Sequence, residues 1–288
     1  MILVTHWDAD GIFSIYYMYK KFGDTFKVYF SGPRVIIRTL LNIIKENDKN
    51  EEIYIVDIAP NQEAIYLSSY FKKVYWIDHH ITENLETTSR TFLYIKNYKS
   101  AAHVLAEFLN IRDNYINFID NIDSNNIQTD LERDFRDLVV GIKYYYPKDY
   151  PIHFISIAKE LYMGKKIEEI IEKRLKILSD FKKFLKSIED YIILNTQYYK
   201  GKSGEFLVTK VDFNIPSFYI VEKLKEKIKK DIDYIIVLYE KDKRGEIRTL
   251  TNKNVLEIAK KLNGGGHMFA AGFQYNSPEE VIETIKEI

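Results

Sequence analysis

The chain contains no cysteine. Disulfides, thiolate zinc sites and cysteine nucleophiles are thereby excluded, and the composition suits an intracellular protein. Only 6 prolines and 12 glycines interrupt 288 residues, too few for a collagenous or low-complexity chain. No apolar run approaches the ~20 residues needed to cross a bilayer. Nor is there a basic segment followed by a signal-type apolar stretch, so a cytoplasmic location without membrane partners is expected. Charge of one sign is lacking too. Lys+Arg and Asp+Glu both number 42, for a formal net charge of +0. Proteins that grip long duplex nucleic acid through many phosphates are usually basic, so the balance points to a short or small anionic substrate.

What remains is a chain able to fold. Hydrophobic residues make up 46% and charged residues 29%, enough for a buried core, and the length suggests two domains. The first half alternates apolar runs at 1–6, 26–31, 53–57, 73–78 and 91–95 with helical patterns at 11–22, 34–46, 61–71 and 100–109. That alternation predicts a parallel sheet with helices on both faces. Residues 112–146 read as largely helical. The Lys-rich stretch 154–190 reads as a solvated helical connector. Beyond it come strands near 191–196, 205–212, 233–240 and 245–251, and helices near 217–229, 254–262 and 278–287. The expected organisation is an α/β catalytic domain at 1–153, a helical connector at 154–190 and a smaller mixed α/β domain at 191–288.

Several apolar runs end in ligand-type residues. Ile2-Leu3-Val4 leads to His6-Trp7-Asp8-Ala9-Asp10-Gly11, Ile53-Tyr54-Ile55-Val56 to Asp57, and Val74-Tyr75-Trp76-Ile77 to Asp78-His79-His80. In extended backbone His6, Asp8 and Asp10 would lie on one side. In an open α/β sheet the strands' carboxyl ends converge on one crevice, so these residues are expected to meet. Each acidic residue alone reads as well as a helix cap, but three adjacent ligand types at 78–80 rarely serve packing. Crowded carboxylates repel unless cations neutralise them. Asp8, Asp10, Asp57 and a fourth acidic ligand would carry four negative charges, which two divalent cations balance. Oxygen ligands with a minority of imidazole suit Mn²⁺, with Co²⁺ or Mg²⁺ possible. Two such ions roughly 3.5–4 Å apart activate water and clamp a phosphoryl oxygen.

Together with Gly264-Gly265-Gly266-His267 and Ala270-Ala271-Gly272, these motifs resemble the DHH phosphoesterase superfamily, and the match spans nearly the whole chain. The superfamily includes RecJ-type exonucleases, nanoRNase/pAp phosphatases, cyclic-dinucleotide phosphodiesterases and family II inorganic pyrophosphatases. The Gly-rich element resembles the DHH-associated C-terminal domain of the nuclease and nanoRNase branches. The resemblance implies that His6 and Asp8 bind one metal, that Asp10 and His79 bind the other, and that Asp57 bridges them. It places His80 at the scissile phosphate and makes Asp78 the orienting partner of a histidine. For the fourth acidic ligand it implies Asp123, which Ser124 follows, with Asp120 as the alternative. Ser100-Ala101-Ala102 resembles a segment that opens a helix near the site.

The glycines at 264–266 follow a helical pattern and could simply end it. One glycine suffices for that; three let backbone N–H groups approach an anion, and His267 adds a donor. Arg248 resembles an arginine that contacts substrate phosphate. Trp7, Phe218, Tyr219 and Phe269 could stack bases, though for each alone core packing is the better reading. The expected protein is a Mn²⁺-dependent phosphodiesterase acting on short single-stranded RNA or DNA in a cleft between its domains. A pAp phosphatase or cyclic-dinucleotide phosphodiesterase is the alternative. A replication scaffold of the same fold is the non-enzymatic one.

Overall fold

The computed structural model describes residues 1–80, 85–202, 204–228, 231–251, 253–266 and 268–287. They divide into two compact units, Met1–Phe181 and Lys182–Ile288.

The first unit is built on β1 (Ile2–Thr5), α1 (Ala9–Phe22), β2 (Lys27–Phe30), α2 (Ile36–Glu46), β3 (Glu52–Val56), α3 (Gln62–Ser68), β4 (Lys73–Asp78) and β5 (Thr91–Ile95). Then follow α4 (Ala101–Phe108), α5 (Ile116–Asp123), α6 (Asp130–Tyr145), α7 (Tyr150–Tyr162) and α8 (Ile167–Lys173). The strands form one parallel sheet in the order β2-β1-β3-β4-β5. Alternate residues of each strand go to opposite faces. Ile2, Val4, Ile53, Ile55, Val74 and Trp76 pack against Ile36 and Leu40 of α2 and Ile65 of α3. Leu3, Tyr54, Val56 and Ile77 join a second core with α1, α4, α5, α6 and α7. Burial on both faces explains why the strands read as continuous apolar runs rather than as alternation. Helices α7 and α8, within the stretch expected to connect domains, bury Phe154, Ile157, Ile167 and Ile170 in that second core.

Helix α9 (Leu175–Ser187) runs across the boundary between the units. The second unit continues with α10 (Glu189–Leu194), β6 (Thr196–Gly201), β7 (Gly204–Val211), α11 (Ser217–Lys227), β8 (Tyr234–Tyr239) and β9 (Arg244–Thr249). It ends with α12 (Val255–Lys261), β10 (Gly265–Gly266), β11 (Ala270–Gln274) and α13 (Pro278–Glu287). Its mixed sheet has the order β10-β11-β9-β8-β7-β6, with β7–β8 the parallel pair. The strand expected at 191–196 is instead α10 followed by β6. A short apolar run has no periodicity that separates strand from helix. Here Ile192 alone of Tyr191-Ile192-Ile193-Leu194 is buried, and Leu194 is 83% exposed, one contact per turn rather than every second residue.

Candidate metal centre

Three strand ends of the first sheet carry the site. After β1 the chain turns at once into α1. Asp8 is the N-cap, its Oδ1 accepting the Gly11 N–H at 3.1 Å, while its other oxygen meets His6 Nδ1. A side chain at Gly11 would come within 1.9 Å of the His6 carbonyl oxygen, so this turn admits only glycine. Asp10 therefore lies inside the first turn of α1 rather than in extended backbone beside His6 and Asp8. Its fully buried carboxylate accepts the Ala101 and Ala102 N–H groups, both at 2.7 Å, at the start of α4.

Asp57 directly follows β3. Its φ of 59° is left-handed, a region that Asp tolerates better than most residues and one associated with functional sites. It is buried, and its Oδ2 has no hydrogen-bond partner. Its two oxygens face different histidines: Oδ2 is 3.8 Å from His6 Nδ1, and Oδ1 is 3.6 Å from His79 Nε2. At the end of β4 both Asp78 oxygens accept from His80 Nδ1, at 2.8 and 3.1 Å. His79 Nδ1 donates to the Tyr98 carbonyl at 3.3 Å, which leaves Nε2 directed at Asp57 and, 3.5 Å away, at Asp123.

Three sets of donor atoms follow, each within 4.8 Å of one another: His6, Asp8 and Asp57; Asp10, His79 and Asp123; and Asp57, Asp78, His79 and His80. Asp123 is the last residue of α5. Asp120, one turn earlier, belongs to none of the sets; its oxygens accept from Ser100 Oγ and His103 Nδ1.

Electrostatics mark this as a place where negative charge is in excess. Burial, then Asp10, Asp8 and Asp78, push the Asp57 pKa well above the ordinary carboxylate value. Burial, then Asp10, Asp57 and Asp8, do the same to Asp123 against the opposing pull of His79. Asp10 is pushed up to about 6, mainly by burial. Burial would raise Asp8 as well, but His6 and the Gly11 N–H hold it below the usual range. Burial disfavours charge on His79, yet Asp10, Asp123 and Asp78 outweigh it and raise that pKa. The unpartnered Asp57 oxygen, the oxygen-rich donor sets and the uncompensated charge fit divalent cations.

In the second unit, Arg248 on β9 is part-buried and donates from Nε to Ser217 Oγ at 2.7 Å; the Ser217 hydroxyl in turn donates to Glu246. A Cβ at Gly264 would come 2.2 Å from the Gly272 carbonyl oxygen, and Gly266 has φ +139°. Both glycines are thus required by the backbone. Gly265 is different: a Cβ there would meet nothing within 4 Å, and its backbone is exposed. The fold alone gives no reason for glycine at this position. His267 lies outside the described residues. Of the stacking candidates, Tyr219 is buried in the core, Trp7 and Phe218 are half-buried, and Phe269 is exposed. The pairing of His103 with Asp120 went unread in the sequence; its one signal is a histidine three residues after the helix-opening Ser100.

A parallel sheet whose carboxyl edge gathers paired carboxylates and imidazoles is followed by a mixed-sheet unit with a Gly-rich strand. The DHHA1 domain model matches residues 209–288. Comparison with curated proteins gives no match. The fold is similar to that of a pGpG-specific phosphodiesterase, PggH, from Vibrio cholerae, with a TM-score of 0.64 at 15% identity over 97% of this chain and 94% of that one. It is similar to exonuclease RecJ bound to manganese, with a TM-score of 0.57 at 12% identity over 99% and 89%. An exopolyphosphatase-related protein from Bacteroides fragilis aligns with a TM-score of 0.55 at 16% identity over 98% and 89%. The chain carries a DHHA1 domain over residues 209–288, and its fold as a whole is similar to that of these solved structures.

Proposed function

We propose that this protein is a Mn²⁺-dependent phosphodiesterase that hydrolyses short single-stranded oligonucleotides. The observation that carries the reading is Asp57, whose two oxygens turn towards two separate donor sets. His6, Asp8 and Asp57 would hold one ion, and Asp10, His79 and Asp123 the other, with Asp57 shared. When bound, two such ions polarise a phosphoryl oxygen and lower the pKa of water. The protein's own part is to orient. The Tyr98 carbonyl fixes the His79 ring through Nδ1, and such outer partners set ring direction and ligand basicity. Asp78 does the same for His80, whose proposed contact with the scissile phosphate runs through Nε2. Arg248 and the open backbone at Gly265 are proposed to read a substrate phosphate rather than to perform the chemistry.

The neutral chain favours short substrates, and the similarity to a pGpG-specific enzyme keeps a dinucleotide-directed reading beside the exonuclease one. A panel of labelled dinucleotide, longer single strands, pAp and cyclic dinucleotides ranks them. Metal-stripped protein should leave the dinucleotide intact and Mn²⁺ should restore cleavage; full turnover in excess chelator would overturn the proposal.

A further inference from the structure

Outside the three donor sets, one imidazole is held as firmly as those within them. His103 lies in the first turn of α4, and its Nδ1 is 2.9 Å from Asp120 Oδ2. The other Asp120 oxygen accepts from Ser100 Oγ at 2.6 Å, and the same hydroxyl accepts the His103 N–H at 3.2 Å. Tyr98 stacks on the imidazole with ring centroids 4.2 Å apart and planes inclined by 25°. Asp120 is only 8% exposed. A buried carboxylate, a hydroxyl and an aromatic face thus fix the orientation and tautomer of a ring that is itself partly open, its side chain 29% exposed. No partner meets His103 Nε2 among the described residues.

The segments that carry this ring's supports also make contacts to the candidate centre. The Ala101 and Ala102 N–H groups, next to His103, bind Asp10. The Tyr98 carbonyl receives His79. Asp120 stands one turn before Asp123 on α5. The imidazole thus belongs to the same segments that hold the Asp10, His79 and Asp123 set. A purely structural tie between α4 and α5 is already supplied by Ser100 and Asp120 and by apolar packing of both helices in the same core. A carboxylate-held histidine with its second nitrogen open is the arrangement used to present a nitrogen to a reacting or bound group.

The geometry points to His103 as a further substrate-contacting residue, its ring protonated on both nitrogens so that Nε2–H donates to a phosphate oxygen of the nucleotide while Nδ1–H donates to Asp120, its positioning residue. This rests on the phosphodiesterase reading above. A donor in a charge-assisted bond to phosphate is worth roughly tenfold to a hundredfold in affinity. The test compares wild type with His103→Ala, His103→Gln, Asp120→Asn and the His103→Ala/Asp120→Asn pair, on a labelled dinucleotide in Mn²⁺. His103→Ala should raise KM by roughly tenfold to a hundredfold while bound manganese, measured by mass spectrometry, stays at the wild-type level. His103→Gln, which keeps a donor, should recover part of the loss. Asp120→Asn should have a smaller effect and add nothing to His103→Ala, because it acts only through that ring. An unchanged KM in His103→Ala, additive losses in the pair, or manganese lost on Asp120→Asn would each overturn the inference. Binding of AMP, followed by calorimetry in Mn²⁺, separates the two levels. If wild type cleaves no dinucleotide, the phosphodiesterase reading fails. AMP binding weakened by His103→Ala would then still support the contact, and equal AMP binding would refute it.

Discussion

Replacing Asp57 with Asn tests the candidate centre through stability rather than turnover. Asn tolerates the left-handed backbone that Asp57 adopts, at φ 59°, so the substitution removes charge and leaves the turn. In the metal-free protein that charge is a liability, because burial and the neighbouring Asp10, Asp8 and Asp78 already push the Asp57 pKa well up. Donor atoms of His6, Asp8 and Asp57 lie within 4.8 Å of one another. Two unit charges at that range repel by about 3 kcal/mol at an effective dielectric near 20. Protonation of Asp57 already relieves part of this, so the net release is on the order of 1 kcal/mol, or ~2–4 °C in melting temperature for a unit of this size. With Mn²⁺ at about a hundred times its dissociation constant, wild type should gain ~2.7 kcal/mol, roughly 5–10 °C. The variant, lacking the proposed shared ligand, should gain little. The two proteins should therefore exchange order: Asp57→Asn melts higher in EDTA and lower in Mn²⁺. Trp7 and Trp76, the only tryptophans, both lie in the first unit, so intrinsic fluorescence follows the relevant transition. A variant that melts below wild type in EDTA and shows the full Mn²⁺ shift would make Asp57 a strand-end cap and nothing more.

The raised carboxylates set a pH dependence. Asp10 at about 6, with Asp57 and Asp123 higher than ordinary, binds protons more readily folded than unfolded. Their stabilising effect is complete below the unfolded value near 3.8 and is lost as pH rises through 6 and beyond. The metal-free first unit should accordingly melt lower at pH 7 than at pH 5 by fluorescence, and a rise over that interval would contradict the crowding. In the first unit, Arg174 and Glu160 are both buried and paired at 2.9 Å; burial alone would raise Glu160, but Arg174 and Lys173 hold it down to about 2. Arg174→Met should cost about 3–5 kcal/mol in urea unfolding, and adding Glu160→Met should recover most of it. In the second unit, Gly264→Ala should destabilise, since its Cβ would strike the Gly272 carbonyl. Gly265→Ala should fold normally yet weaken nucleotide binding. Arg248→Ala should raise KM for a dinucleotide roughly tenfold to a hundredfold, leaving bis-p-nitrophenyl phosphate hydrolysis nearly unchanged; equal losses on both would place Arg248 in the chemistry.

The legible parts of the sequence were those governed by a rule linking pattern to place. Apolar runs ending in Asp or His mark the carboxyl edge of a parallel sheet, and for that reason residues as distant as His6, Asp57 and His79 could be expected to meet. The run at 191–196 escaped because four apolar residues carry no period of their own, and helix α9 immediately before it lets the chain continue as α10. The strict alternation assumed for His6, Asp8 and Asp10 failed because Asp8 caps a helix that starts one residue later; Asp10 then reaches the site from a helix, held by the amides of α4. The choice between Asp120 and Asp123 shows what the chain alone withholds. Three residues apart on one helix, they share a face, and only the Ser124 that follows Asp123 sets them apart locally. A segment twenty residues away gives them different surroundings, since Ser100 and His103 already occupy both Asp120 oxygens, while Asp123 faces His79. A carboxylate whose hydrogen bonds are already made is suited to orienting a neighbour; one surrounded by like charge is suited to a cation. That difference lies in the partners of each oxygen, which only the folded chain assembles.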